Sequence, residues 1–173
     1  AAGAGAVLVG PAYAEYFGMP TDVVDVEIGF GVDRVVEIPG VTVTQSSQNA
    51  STTQLGTKAI DGVAAGYPGD YTKEWATTGG KAGSWIKLAW ASPTSVNRVV
   101  LYDRPNTSDQ VTAATLVFSD GTSVTVPALN NAGGATTITF PARTVTSVQL
   151  NITSVAAATQ NVGLSEFEVW EAV

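Results

Sequence analysis

One short stretch of the chain concentrates planar side chains with several hydrogen-bond donors or acceptors. Residues 103–110 read Asp-Arg-Pro-Asn-Thr-Ser-Asp-Gln and follow a run of apolar residues. Carboxylate, guanidinium and amide groups present several donors or acceptors in one plane, which suits the neighbouring hydroxyls of a sugar. The sequence therefore predicts ligand contacts from a loop that carries Asp103, Arg104, Asn106, Asp109 and Gln110.

Aromatic residues earlier in the chain suit the same ligand, because the C–H side of a sugar ring packs on a flat apolar face. The candidates are Tyr67, Tyr71 and Trp75. Two alternatives stay open. Trp75 also fits a core-packing role, and Arg104 also fits an internal salt bridge to one of the aspartates of its loop.

Two carboxylates near the end of the chain raise the hypothesis of an enzyme. Glu166 and Glu168 are two residues apart and would lie on one face of a strand. Glycosidases use a pair of carboxylates that flank the scissile bond. No second carboxylate-bearing strand faces them with a recognisable spacing, so a metal-binding or rim role is favoured over a catalytic one.

The chain contains no cysteine and no histidine. This excludes serine and cysteine nucleophiles activated by histidine, thiolate or imidazole metal sites, and disulfides. Calcium remains, since it binds carboxylate and carbonyl oxygens, and a tight Asp61-Gly62 turn supplies both. The alternative is that Asp61 simply caps its local turn.

Composition and charge narrow the class of protein. The 173 residues hold 45% hydrophobic residues and carry a formal charge of −7 with eight Lys and Arg in total. Such an acidic chain lacks the clustered cations that nucleic acid binding needs. No apolar run reaches the roughly 18 residues expected of a membrane span. The sequence predicts a folded domain that does not bind nucleic acid and has no membrane span.

The elements that must position these side chains are strands. From residue 41 onward, apolar residues alternate with polar ones in short runs separated by turn residues. Asp120-Gly121 between two such runs is a strong hairpin signal. About eight strands, with a single short helical turn at 57–61, predict an all-β jelly-roll sandwich.

Composition divides the chain near Gly40. Residues 1–40 hold six acidic residues and one Arg, whereas residues 41–173 hold nine acidic and seven basic residues. The first segment has an aromatic patch around Tyr13, Tyr16 and Phe17, then two strand-like runs at 23–28 and 34–38. We expect either an extra hairpin on the main domain or a remnant of a preceding domain.

Other features bear on location. The Ala/Gly-rich start has no basic region and no long apolar core, so it does not read as a signal peptide and suggests a piece trimmed from a longer protein. Three glycosylation sequons, at Asn49, Asn106 and Asn151, indicate a secreted glycoprotein. A glycan on Asn106 would crowd the predicted sugar site.

Five stretches stand in a recognisable order: KAIDG at 58–62, EWAT at 74–77, SWIKL at 84–88, NRVVLYDR at 97–104 and GLSEFEVW at 163–170. Together they resemble the discoidin, or coagulation factor 5/8 type C, domain, whose carbohydrate-binding members are the family 32 carbohydrate-binding modules. The resemblance covers about 41–173, and the long 66–74 insertion resembles modules appended to secreted, often fungal, carbohydrate-active proteins.

The resemblance implies a jelly-roll sandwich with a sugar site on the loops at one end and a structural calcium. It places the calcium ligands at Asp61, Thr72 and Glu166, with Thr72 shifted by the insertion. For the sugar it implies contacts from Arg104, from Asp109 or Gln110, and from the loop before the last strand. That loop contains Asn161, where relatives often carry an aromatic residue.

The sequence thus predicts a secreted, non-catalytic, lectin-like module that binds a neutral or acetylated hexose and targets an attached enzyme to glycan. The first alternative is a structural or protein-interaction sandwich without a sugar site. The second is a glycosidase that uses Glu166 and Glu168.

Overall fold

The computed structural model describes residues 6–7, 23–28, 31–36 and 40–172. Within these ranges the chain forms ten strands and three short 3-10 helices, the latter at Ala50–Thr52, Gly56–Ile60 and Tyr71–Lys73. The strands are β1 Ala6–Val7, β2 Val23–Ile28, β3 Gly31–Val36, β4 Thr42–Gln45, β5 Trp75–Ala76, β6 Trp85–Asp103, β7 Val111–Phe118, β8 Ser123–Val126, β9 Ala135–Val155 and β10 Gly163–Glu171.

Two long strands join the layers of the sandwich. The first part of β6 pairs with the last part of β9, from Trp85↔Asn151 to Ala89↔Ser147, in a layer with β4, β7 and β8. After a register shift between Ala89 and Thr94, the rest of β6 pairs with the first part of β9 and with β10. One hydrogen-bonded sheet therefore folds over itself at this exposed corner, since bulges bend strands.

The core lies between the two layers, where alternate residues of each strand point inward. Leu88, Leu116 and Leu150 come from the first layer, and Leu101 and Phe167 come from the second. All five belong to one buried cluster. Burial of each such side chain contributes roughly 1.5–3 kcal/mol, so the alternation read from the sequence is what holds the layers together.

The predicted all-β sandwich is confirmed. Seven strands lie beyond residue 40, and three more lie in the first segment. The hairpin at Asp120-Gly121 joins β7 to β8, and Gly121 adopts a φ of +83° that glycine accommodates without a Cβ clash. The helical turn predicted at 57–61 is the 3-10 helix Gly56–Ile60.

The first segment also contains the predicted strands. β2 matches the run at 23–28, and β3 begins three residues earlier than the run at 34–38. The two pair as an antiparallel hairpin, while β1 pairs with β10 and with β3. The aromatic patch around Tyr13 lies outside the described residues, and the division of the chain at Gly40 stays a prediction.

The pairing of three strands fixes where the loops meet. Gly163 at the start of β10 lies opposite Ala76 of β5, and Leu164 lies opposite Asp103 at the end of β6. The loops that follow β6 and precede β5 and β10 therefore share one end of the sandwich.

Candidate functional site: a loop-end cleft and a buried acidic pair

A cleft with a volume of about 690 Å³ opens at this end of the sandwich. Its lining comes from four segments of the chain: residues 52–54, 67–71, 104–109 and 160–161. All four are loops or short 3-10 turns, positioned by the strand ends behind them.

A buried network of charges holds the segments together. Arg104 donates from Nε and Nη2 to Oε1 of Glu74, at 3.1 and 2.8 Å, and from Nη1 to Oδ2 of Asp109 at 2.7 Å. The three residues are at most 4% exposed. Because ion pairs in a low-dielectric interior need such complete pairing, the arrangement fixes the guanidinium in one orientation.

The network reaches every segment of the cleft. Gln54 donates from Nε2 to Oε1 of Glu74 at 2.6 Å, and Arg104 donates from Nη1 to the Asn161 carbonyl at 2.6 Å. Asp109 accepts from the backbone N–H of Gln160 through its other oxygen. The cleft therefore has a framework of hydrogen bonds in place before any ligand arrives.

The interpretation of Arg104 as part of an internal salt bridge is the one that the structure shows, with Asp109 and Glu74 rather than Asp103 as partners. A guanidinium has five N–H donors. Four of them take part in the bonds given above, which leaves one Nη2 proton toward a ligand among the described residues. Arg104 lines the cleft chiefly as a positioning residue.

Two exposed tyrosines stand at the cleft. Tyr67 and Tyr71 are 50% and 46% exposed and both contribute to its lining. The backbone N–H of Tyr67 donates to Oε2 of Glu74 at 3.2 Å. Tyr71 begins a 3-10 helix whose N-cap, Asp70, accepts from the Thr72 N–H. Both backbones are thus held by local hydrogen bonds.

Five of the eight predicted sugar contacts come together here: Tyr71, Arg104, Asn106, Asp109 and Asn161. Asn106 donates from Nδ2 to Oδ2 of Asp109 at 2.9 Å, which also places the sequon side chain inside the site. Asn161 accepts from the Gly79 N–H through Oδ1 at 2.8 Å, so its amide N–H₂ group is the part that remains for a ligand.

The other three predicted contacts require correction. Trp75 has no exposed surface, and its Nε1 donates to the Ser47 carbonyl, so the core-packing alternative describes it. Asp103 is fully buried and accepts from the backbone N–H groups of Arg104 and Val111. Gln110 lies outside the cleft lining and donates to the Leu129 carbonyl. Each of the three supports the fold of the loop rather than its ligand face.

The sequence reasoning missed Glu74, Gln54, Thr52 and Ser108. Glu74 is the most important of them, because it is fully buried and binds three of the four cleft segments. The sequence did contain a signal for Glu74. It is a charged residue at the end of the 66–74 insertion, directly before the buried Trp75, and a charged residue in such a place needs a partner. Gly66 also allows the approach, since a Cβ there would lie 1.9 Å from Oε2 of Glu74.

A second acidic site lies on β10, away from the cleft lining. Glu166 is 2% exposed, and neither of its carboxylate oxygens has a hydrogen-bond partner among the described residues. The same holds for Oδ2 of Asp61. The N–H groups of Gly62 and Val63 face the Glu166 carboxylate without reaching hydrogen-bond geometry. Buried carboxylate oxygens without partners are costly, so this arrangement calls for a cation or a proton.

The pKa values of Asp61 and Glu166 are shifted in the direction expected for carboxylates with unpartnered oxygens. Burial, together with the neighbouring Asp61 and Glu168 carboxylates, raises the pKa of Glu166 to about 9. Burial also raises the pKa of Asp61. The Asp61 and Glu166 carboxylates lie close enough for each charge to act on the other. The third predicted metal ligand, Thr72, donates its hydroxyl proton to Asp70 at 2.6 Å, which leaves its oxygen lone pairs, and its role as a ligand stays a prediction.

Known proteins carry related sequences and folds. Residues 39–170 match the model of the family described as "Domain of unknown function (DUF7402)". The chain belongs to this family. No curated protein matches the chain.

Solved structures extend the likeness. Chitosan-binding module 1 of a chitosanase/glucanase from Paenibacillus sp. IK-5 is 29% identical over 74% of this chain and 92% of its own, with a TM-score of 0.55. Module 2 of the same enzyme, solved with chitotriose, is 27% identical over 74% of this chain and 94% of its own, with a TM-score of 0.58.

A third structure is more distant in sequence. The family 32 module from Clostridium perfringens NanJ, solved with galactose, is 14% identical over 76% of this chain and 93% of its own, with a TM-score of 0.58. Together these likenesses show that the DUF7402 chain has the discoidin-like fold of the family 32 carbohydrate-binding modules. Within the ranges that the structure describes, no helix is long and apolar enough to cross a membrane.

Proposed function

We propose that this DUF7402 chain is a non-catalytic carbohydrate-binding module whose ligand site is the loop-end cleft. The observation that carries the proposal is the pairing of exposed Tyr67 and Tyr71 with a cleft floor of charged and amide side chains. Stacking faces beside planar polar groups are the two elements that a sugar ring requires. The buried network around Arg104 keeps the loops ordered, which lowers the free-energy cost of binding.

Charge narrows the class of sugar. In the buried network behind the cleft, Glu74 and Asp109 against the single cation Arg104 leave one net negative charge, in a chain of formal charge −7. Such a field favours a cationic or neutral ligand and disfavours an anionic one. The two Paenibacillus modules, at 29% and 27% identity, are named chitosan-binding modules, so glucosamine oligosaccharides are the first probe.

We also propose that Asp61 and Glu166 hold a structural calcium ion. Their unpartnered buried oxygens fit a hard cation that prefers oxygen ligands. Among the described residues no group of three or more Asp and Glu side chains converges, so carbonyl oxygens and water would complete the coordination. When bound, the ion would supply charge compensation to the loop at 61–63 and no chemistry at the cleft.

Secretion and a covalent link to a catalytic domain belong to the same proposal. The three sequons support the first, and both chitosan-binding relatives are parts of an enzyme. A module that holds its enzyme on a polysaccharide raises the effective concentration of substrate without making new catalytic contacts.

Two alternatives receive less support. Glu166 and Glu168 are absent from the cleft lining, and Glu168 accepts from the Trp170 indole, so no observation favours a glycosidase pair. A protein-interaction sandwich would use the same loops. It would not need two tyrosines exposed beside a hydrogen-bonded polar floor.

A binding experiment separates the proposal from these alternatives. Retention on insoluble chitosan, chitin and cellulose is compared with calorimetric titration of the soluble oligosaccharides, using wild type, Tyr71→Ala and Lys81→Ala. Lys81 is exposed and does not line the cleft. Binding that Tyr71→Ala weakens and Lys81→Ala leaves unchanged supports the proposal. If no polysaccharide retains the wild-type protein, the proposal is wrong.

A further inference from the structure

The two cleft tyrosines, Tyr67 and Tyr71, combine an exposed ring with a position in the cleft lining. Among the described residues, the large hydrophobic side chains that remain exposed are Tyr67, Tyr71 and Val63, and only the tyrosines line the cleft. An exposed apolar surface at a polar cleft marks a binding function. Two such faces on one loop are more than a single stacking contact requires.

Each ring has its own support. The Tyr67 backbone is held by Glu74, and the Tyr71 backbone begins a separate 3-10 helix capped by Asp70. Tyrosine offers a large contact face while it loses only two rotatable angles on binding. Tyr67 and Tyr71 are four positions apart in the chain, which limits the separation of their Cα atoms to about 14 Å. Two independently supported rings that line one cleft suit two positions along a glycan.

The polar side chains of the cleft are spread over several segments of the chain rather than gathered at one point. Asn106 and Ser108 come from the loop after β6, Gln160 and Asn161 come from the loop before β10, and Thr52 comes from a third loop. The cleft volume of about 690 Å³ would hold on the order of twenty water molecules at about 30 Å³ each. That space and that spread of donors exceed what one sugar ring fills.

We propose that the cleft binds at least two linked sugar rings of an oligosaccharide, one against Tyr67 and one against Tyr71. This inference rests on the proposed carbohydrate-binding function and defines its ligand as a chain rather than a monosaccharide. The competing arrangement is a single ring held between both tyrosines. The two arrangements differ in how affinity depends on oligosaccharide length.

The test is calorimetric titration with glucosamine and its linked dimer, trimer and tetramer. We expect affinity to rise from monomer to trimer by about two- to tenfold for the added stacking contact. Tyr67→Ala and Tyr71→Ala should each lower trimer affinity by about two- to tenfold, and one of them should leave monomer affinity unchanged. Tyr67→Phe and Tyr71→Phe, which keep the ring, serve as matched controls, and circular dichroism confirms folding.

Three results would overturn the inference. Equal affinity for monomer and trimer removes the second ring position. Equal weakening of monomer binding by both tyrosine substitutions indicates a single sandwiched ring, and in both of these cases the proposed function stands. Absence of binding to every member of the series, together with absence of retention on the polysaccharides, rejects the inference and the proposed function alike.

Discussion

The cleft and the Asp61–Glu166 pair both contain buried carboxylate oxygens. The two regions differ in whether the chain itself supplies hydrogen-bond donors and a cation for those oxygens. In the cleft, Glu74 and Asp109 receive Arg104 and several N–H donors from the chain itself. At the acidic pair, three carboxylate oxygens have no donor within the described part of the chain. The first region is complete without a partner and can present a fixed surface, whereas the second requires something from solution.

The largest effect should come from breaking the cleft network at its cation. Arg104→Ala leaves Glu74 and Asp109 buried without compensation, so we expect a loss of about 3–5 kcal/mol in the free energy of unfolding. Urea unfolding measures it, with Lys81→Ala as the exposed-cation control. An Arg104→Ala protein that is as stable as wild type and fails only to bind sugar would make Arg104 a ligand contact instead.

The second prediction concerns the cation at the acidic pair. An ion that binds only the folded state should add about 2.7 kcal/mol at a free concentration one hundred times its Kd. Glu166→Gln should abolish this calcium response while leaving the stability in chelator equal to wild type or higher, because a neutral amide replaces a buried carboxyl group that is costly to ionise. Thermal melts with calcium and with EDTA measure both.

The matched control is Asp120→Asn, an exposed acidic residue in the β7–β8 turn. It should keep the full calcium response. A wild-type melt that ignores both calcium and EDTA, in protein shown by elemental analysis to hold no metal, contradicts the calcium proposal.

The third prediction perturbs the cleft framework without changing a charge. In Gly66→Ala the new Cβ would lie 1.9 Å from Oε2 of Glu74, a carboxylate held by Gln54 and Arg104. Overpacking of this kind costs about 1–3 kcal/mol, and the shifted framework should also weaken sugar binding. Gly69→Ala, whose nearest contact is 3.1 Å away, is the milder control. Equal stability of the two variants would show that Glu74 moves freely.

The fourth prediction, whose effect is the smallest per pH unit, concerns Asp103, which is intermediate between the two regions because it has two backbone donors and no cation bonded to it. Burial raises its pKa to about 7 from an ordinary value of 3.8. The folded state then holds a proton that the unfolded state releases, so stability falls as pH rises from about 4 to about 7.

The contribution is at most about 1.4 kcal/mol per pH unit. Asp103→Asn should remove this part of the slope, measured as the difference between the two proteins in urea unfolding at pH 4 to 8. Parallel curves for wild type and variant would show that the Asp103 carboxylate stays charged when buried.

Sequence alone predicted the fold because strand signals are local. The alternation along Trp85–Asp103 and the Asp120-Gly121 turn each depend on neighbours in the chain. The site was predicted only in part, because the contacts that form it join residues far apart in the chain. Polar loop residues are visible in the sequence. Whether a given side chain faces a ligand or another side chain depends on contacts such as Arg104 to Glu74, which are 30 residues apart.

Burial explains two of the three corrected residues. Trp75 and Asp103 have side chains suited to a sugar, and Arg104, next to Asp103, does line the cleft. Both side chains have no exposed surface, because they lie at strand ends that pair with the buried Leu164. Composition identifies the loop, and only the three-dimensional register identifies which face each residue takes.

The most direct test of carbohydrate binding at the cleft is an NMR titration of the isotope-labelled protein with the glucosamine trimer. We predict that amide shifts concentrate at residues 67–71, 104–109 and 160–161, where the cleft is lined. The turn at 119–122, which lies beyond the far end of β7, should stay unperturbed. Shifts centred on that turn, or no shifts for the trimer and for the chitin and cellulose oligosaccharides, would contradict the assignment of the cleft as the sugar site.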